Sequence, residues 1–84
     1  MKTEHEIFRM TLDDRFKSTT HILPKEEGKY WCIVPEDIHI RWLSYREGFW
    51  ECTQNFKYKT TIDRYRVSFW IEDELYEQYK KENL

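Results

Sequence analysis

The chain has 84 residues, of which 36% are charged and 18% aromatic, and its formal net charge is −2. A chain of this length buries one core, so we expect a single domain over residues 1–84. No apolar run approaches the roughly 20 residues of a membrane span, and the first ten residues lack the apolar segment of a secretory signal. We therefore expect a cytoplasmic protein with no membrane partner.

The first part of the chain predicts two strands. Residues 5–12 (HEIFRMTL) alternate between apolar and polar side chains, which is typical of a half-buried strand. Residues 15–23 (RFKSTTHIL) predict a second strand with weaker alternation, and residues 24–28 (PKEEG) form a turn because proline and glycine favour one.

The rest of the chain predicts four strands and a helix. The strands cover 29–34, 38–43, 49–59 and 62–71, with PED, SYREG and TT between them. Residues 72–84 change to a helical period, with Asp73 as a cap. The predicted fold is α+β: an antiparallel meander sheet of five to six strands with one C-terminal helix packed on it.

The loop lengths predict which side chains share a face, since residues opposed in an antiparallel pair point the same way. A five-residue SYREG loop places Trp42 beside Trp50, and a three-residue PED loop places Val34 beside Ile38 and Cys32 beside Ile40. A loop of two or four residues between the strands 49–59 and 62–71 puts Trp50 and Tyr65 on the same face. One inward face then holds Tyr30, Cys32, Val34, Ile38, Ile40, Trp42, Trp50, Cys52, Phe56, Tyr58, Tyr65, Val67, Phe69 and Ile71.

The other face of this predicted sheet is unusually apolar for a solvated surface. Its notable residues are Trp31, Arg41, Phe49, Glu51 and Trp70. Three explanations fit: a second core layer covered by other elements, a protein-binding surface, or a platform for single-stranded nucleic acid. Tryptophan and arginine are enriched in interface hot spots, which favours these five residues as partner contacts.

A basic hairpin supports the nucleic-acid alternative. Its cations are Lys57, Lys59, Arg64 and Arg66, which could contact phosphates while bases stack on neighbouring aromatic rings.

Catalytic and metal signatures are weak. Cys32 and Cys52 are predicted to be free thiols, because an intervening strand separates them by more than a disulfide allows. The histidines have no metal-ligand spacing, so we expect no metal and no cofactor. A ribonuclease site built from His39, Arg41 and Glu51 is a minor alternative to a protein without enzymatic activity.

These observations predict a small, non-enzymatic macromolecule-binding protein. The chain contains no alanine and is rich in Lys, Glu, Ile, Tyr and Phe, which is typical of AT-rich phage and mobile-element genomes. We expect an inhibitor or neutraliser that acts by protein–protein contact, with another protein as partner and a homodimer as a further possibility. The alternative is a single-stranded nucleic-acid-binding protein.

Overall fold

The computed structural model describes residues 4–37 and 39–83. The elements in chain order are α1 (Glu4–Thr11), β1 (Lys17–Ser18), β2 (Gly28–Ile33), β3 (Ile40–Arg46), β4 (Phe49–Asn55), β5 (Thr60–Tyr65), β6 (Phe69–Ile71) and α2 (Asp73–Asn83). The strands form one antiparallel sheet in the order β1-β6-β2-β3-β4-β5. The predicted α+β class, six-stranded sheet and C-terminal helix are confirmed. Strands β2 to β5 form the meander, and β6 then crosses to pair with β2.

The predicted first strand is wrong, because residues 4–11 form α1. The apparent alternation grouped Phe8, Met10 and Leu12, but Phe8 and Leu12 are exposed. The core instead takes up Ile7 and Met10, an i, i+3 pair on one side of a helix. Acidic residues in the first turn and Arg9 in the last turn suit the helix dipole.

The predicted second strand is reduced to the two residues of β1. Beyond it the chain turns, with the amide N–H groups of His21 and Ile22 both donating to the Ser18 carbonyl. Thr19 attaches this turn to the sheet, since its N–H donates to the carbonyl of Ser68 and its hydroxyl to that of Val67.

The predicted pairing of β3 with β4 is wrong, because the loop has two residues and not five. Glu47 and Gly48 have φ values of 53° and 84°, the pair of positive angles that a type I′ hairpin turn requires. The turn sets Tyr45 opposite Trp50. Trp42 and Trp50 therefore lie on opposite faces of the sheet.

The predicted pairing of β2 with β3 is also wrong, by one residue. Cys32 lies opposite Arg41, and Ile33 lies opposite Ile40. The turn between these strands is stabilised by the Asp37 N–H, which donates to the Val34 carbonyl at 2.9 Å. The predicted pairing of Val34 with Ile38 lies outside the described residues.

These two errors cancel for β2, β4 and β5, but not for β3, which lies between them. Cys32 and Trp50 share a face as predicted, and Tyr65, which lies opposite Trp50, shares it too as predicted. Within the meander of β2 to β5, only β3 is reversed, so that Leu43 and Tyr45 join this face and Ile40 and Trp42 leave it.

The predicted strand 62–71 is interrupted between Tyr65 and Phe69. Ser68 turns the chain back onto β2, where its N–H and its hydroxyl both donate to the Ile33 carbonyl. The interruption reverses the side-chain alternation, so Trp70 lies opposite Cys32 and joins its face. Phe69 and Ile71 lie on the other face.

The sheet has a core on each side. On the helix-bearing face, α1 and α2 pack over a cluster whose buried members are Met10, Phe16, Ile33, Ile71, Tyr76 and Tyr79. The cluster on the opposite face contains Cys32, Val34, Leu43, Trp50, Val67 and Trp70. The connection between β5 and β6 supplies Val67, so the chain itself covers part of this face.

Candidate binding surface

The five predicted contact residues do not share one face. Trp31, Phe49 and Glu51 lie on the helix-bearing face, whereas Arg41 and Trp70 lie on the opposite face. Arg41 is displaced by the reversal of β3, and Trp70 by the interruption between β5 and β6. The predicted placement of all five on one surface is therefore wrong, and their contact with a partner stays a prediction.

Trp70 is a core residue in this structure. It is only 5% exposed, and its ring packs edge-on against Tyr30 with centroids 5.2 Å apart. Its indole N–H donates to the Ile22 carbonyl at 2.9 Å, and the Lys17 ammonium lies over the ring. These contacts leave little of Trp70 available to a partner.

Trp31 fixes the start of α2 against the sheet. Its indole N–H donates to Oδ1 of Asp73 at 2.8 Å, and its ring contacts Tyr76 at a centroid distance of 5.1 Å. On its other side it meets Trp42 at 4.9 Å. Trp31 therefore marks the border between the part of the face under the helices and the part beyond them.

Arg41 belongs to a separate ion pair on the opposite face. Its Nε donates to Asp37 at 2.6 Å, and its guanidinium lies 5.0 Å from the centroid of the Tyr65 ring. Burial opposes ionisation of Asp37, but Arg41 and the His39 N–H outweigh it and lower the pKa of this carboxyl.

Beyond Trp31, the helix-bearing face continues over β3, β4 and β5, outside the cluster that α1 and α2 cover. Alternation along these strands and the pairings of Ser44 with Glu51, Glu51 with Arg64 and Thr53 with Ile62 bring one set of side chains together. We call this set the open surface: Trp42, Arg46, Phe49, Glu51, Thr53, Ile62 and Arg64.

A buried carboxylate organises the open surface. Glu51 is 5% exposed and is the one buried charged residue in the described chain. Its two oxygens are paired separately, Oε1 with Nε of Arg46 at 3.4 Å and Oε2 with Nε of Arg64 at 3.1 Å. Glu51 therefore holds two arginines, one on each neighbouring strand, in defined positions.

Large apolar groups surround this charged centre. Trp42, Phe49 and Ile62 are 39%, 44% and 52% exposed. The Arg64 guanidinium stacks on the Phe49 ring at 3.8 Å from its centroid, so the aromatic and cationic groups form one unit. The arrangement offers apolar area together with accessible guanidinium donors.

The loop of the β4–β5 hairpin adds a basic, aromatic tip at residues 56–59. Phe56 and Tyr58 were predicted to point into the core, which is wrong, since they are 53% and 88% exposed. Lys57 and Lys59 lie over these rings, at 5.4 Å from Tyr58 and 6.0 Å from Phe56. Of the predicted basic residues, Arg64 is on the open surface, and Arg66 is exposed in the connection to β6.

The chemistry required for the ribonuclease alternative is not assembled. Arg41 and Glu51 point to opposite faces, and each is paired with other residues. In residues 4–37 and 39–83, no group of three or more His, Cys, Asp or Glu side chains is placed to hold a metal ion. Cys32 and Cys52 are free thiols, as predicted, and burial raises the pKa of Cys32.

Sequence reasoning missed Trp42, Arg46 and Ile62 as members of this surface. The assumed five-residue loop placed Trp42 in the core. The signal that could have corrected it is Gly48 within YREGFW, because a glycine there permits a two-residue turn. The signal for Ile62 is its alternation with Arg64 along the same strand, which places both side chains on one face.

None of the helices in the described part of the chain is long and apolar enough to cross a membrane. Comparison of the chain with protein-family models, with curated proteins and with solved structures finds no match.

Proposed function

We propose that this chain binds another protein through the open surface. The observation that carries the proposal is the grouping of three exposed apolar side chains, Trp42, Phe49 and Ile62, around an arginine pair held by a buried glutamate. Aromatic residues and arginine are enriched in interfaces, and hot spots combine them within a desolvated centre.

The charges on the open surface define the chemistry of the partner. Arg46 and Arg64 contact Glu51 through Nε, and more than half of each side chain is exposed. Their remaining guanidinium donors are accessible, and they suit carboxylates in a bidentate geometry. We infer a partner with an apolar patch bordered by aspartate or glutamate.

A small chain that only binds can act by occupying a functional surface of its partner. We therefore propose an inhibitor or neutraliser of the kind that phages and mobile elements encode. Composition alone supports the phage or mobile-element origin. A reducing, cytoplasmic location is part of the proposal, and the free thiols of Cys32 and Cys52 support it.

Two phenylalanines make a matched test. Phe49 lies on the open surface and Phe8 lies on α1, and both rings are exposed. Wild type, Phe49→Ala and Phe8→Ala would each be used to capture partners from a lysate of the native host, with and without nuclease. We expect a protein that Phe8→Ala retains and Phe49→Ala loses, whatever the nuclease treatment. Equal capture by both variants would refute the proposal.

The hairpin tip favours a second candidate, binding of single-stranded nucleic acid. Lys57 and Lys59 flank the exposed rings of Phe56 and Tyr58, and in the described residues neither lysine lies within ion-pair distance of a carboxylate. Under this reading, affinity for an oligonucleotide falls steeply with salt, and replacing both lysines with glutamine weakens it. Under the protein-binding proposal, captured material contains no nucleic acid and the lysine variant behaves as wild type.

A further inference from the structure

The two edges of the sheet differ in how they are protected. One edge is β1, only two residues long, and short edge strands are a common defence against unwanted pairing. The other edge is β5, whose six residues (TTIDRY) contain no proline and no lysine. Threonine and isoleucine at Thr60, Thr61 and Ile62 favour extended structure, so β5 is a well-formed edge.

The backbone groups on the free side of β5 can be assigned from the hairpin. The Phe56 N–H donates to the Lys59 carbonyl at 2.7 Å, which makes these two residues a hydrogen-bonded pair. Such pairs alternate along an antiparallel ladder, so Thr60, Ile62 and Arg64 direct their N–H and C=O groups away from β4. Among the described residues, no backbone hydrogen bond outside the ladders involves these groups.

We propose that β5 pairs with β5 of a second copy of this chain, antiparallel and centred on Ile62. In this register Ile62 faces Ile62, and Thr60 faces Arg64 in both directions. All the outward backbone groups of these residues then find partners, giving about six inter-chain hydrogen bonds. The two-fold axis is perpendicular to the joined sheet, which gives a closed dimer.

The register centred on Ile62 pairs all the outward backbone groups of Thr60, Ile62 and Arg64, and its side-chain pairs are compatible. With Ile62 at the centre, Thr61 faces Asp63, and no like charges are opposed. A shift of the centre to Asp63 would place two carboxylates opposite each other, which is destabilising. The exposed Ile62 side chain is covered by Ile62 of the second copy. An unrelated extended peptide need not carry an apolar side chain opposite Ile62.

The dimer also joins two copies of the open surface. The two-fold axis keeps both helix-bearing faces on the same side of the joined sheet, with Ile62 of each copy at the junction. The dimer and the proposed partner site share Ile62 and Arg64, but their tests are separate, because dimerisation is measured at β5 and partner binding is measured at Phe49 on β4. A failure of one therefore leaves the other open to its own test.

Disulfide trapping tests the register. Opposed residues of a hydrogen-bonded antiparallel pair have Cα atoms about 5.5 Å apart, within the disulfide range of about 4.4–6.8 Å. In a Cys52→Ser background, Ile62→Cys is expected to give a covalent dimer on mild oxidation. The control is Thr53→Cys, an exposed position on the adjacent strand and the same face, which is expected to stay monomeric on a non-reducing gel.

Sedimentation velocity tests the dimer without a cross-link. Wild type is expected to sediment as a dimer, with Ile62→Val unchanged and Ile62→Pro shifted to monomer, because proline removes only an outward N–H. Circular dichroism tests whether the proline variant is folded. If it is unfolded, the comparison of Ile62→Cys with Thr53→Cys still tests the dimer independently. A monomeric wild type, or equal trapping at positions 53 and 62, would overturn the proposal.

Discussion

Replacement of Glu51 with glutamine is the most informative perturbation of the open surface. The variant keeps the shape of a side chain that is 5% exposed and removes the charge that pairs with Arg46 and Arg64. Both arginines are more than half exposed, so each pair contributes at the scale of a solvent-screened contact, ~0.2–1 kcal/mol. Glutamine also puts a donating amide NH2 in place of one accepting carboxylate oxygen, so one arginine N–H loses its acceptor, and the total cost is about 1–2 kcal/mol.

Chemical denaturation followed by tryptophan fluorescence measures this change, since Trp50 is buried and directly adjacent in the chain. Each kcal/mol corresponds to a shift in Tm of about 4–8 °C for a domain of this size. The matched control is Asp63→Asn, an exposed carboxylate of the same hairpin on the other face, with an expected change below about 0.5 kcal/mol. Equal stability of the two variants would show that Glu51 does not organise the arginine pair.

Three further predictions concern the core, the thiols and the loss of stability at low pH. Trp70→Ala is expected to lower the unfolding free energy by about 3–5 kcal/mol, much of the stability of a small domain, and a loss below 1 kcal/mol by urea denaturation would contradict its core role. Ellman's reagent should detect two thiols in denaturant. In the native protein, Cys52 should react before the buried Cys32. If the native Cys52→Ser variant still reacted rapidly with the reagent, this order would be refuted. The Arg15 hydrogen bond, opposed by burial, lowers the pKa of Asp13 below its ordinary 3.8, so the carboxylate stabilises the fold above that pH. This stability is lost as the pH falls through the lower, folded pKa, and urea titrations below about pH 4 should show a shallower decline for Asp13→Asn than for wild type.

The sequence was sufficient to predict the sheet, the terminal helix and most of the strand positions. The loops were the source of the main error, since parity arguments depend on loop length to a single residue. Glu47 occupies a left-handed position in the turn, where asparagine, aspartate or glycine is the usual signal. Without that signal, the sequence favours a five-residue loop. That loop reverses β3 in the predicted sheet and wrongly places the exposed Trp42 in the core.

The other errors have tertiary causes. The alternation of Phe8, Met10 and Leu12 predicts a strand where α1 lies, although packing buries Met10 and leaves the other two exposed. Trp70 was predicted to face a partner because the interruption after Tyr65 has no proline or glycine to mark it. That interruption depends on Ser68 bonding to the Ile33 carbonyl, a long-range contact that local sequence does not encode.

We propose that the helix-bearing face beyond Trp31 is where this protein meets its partner. Photo-cross-linking with p-benzoylphenylalanine tests it directly, with the probe in place of Phe49 on the open surface or of Phe8 on α1. Irradiation in a host lysate should give a protein adduct at Phe49 that nuclease does not remove, and no such adduct at Phe8. An adduct at Phe8 alone, at both positions equally, or at neither would contradict the account.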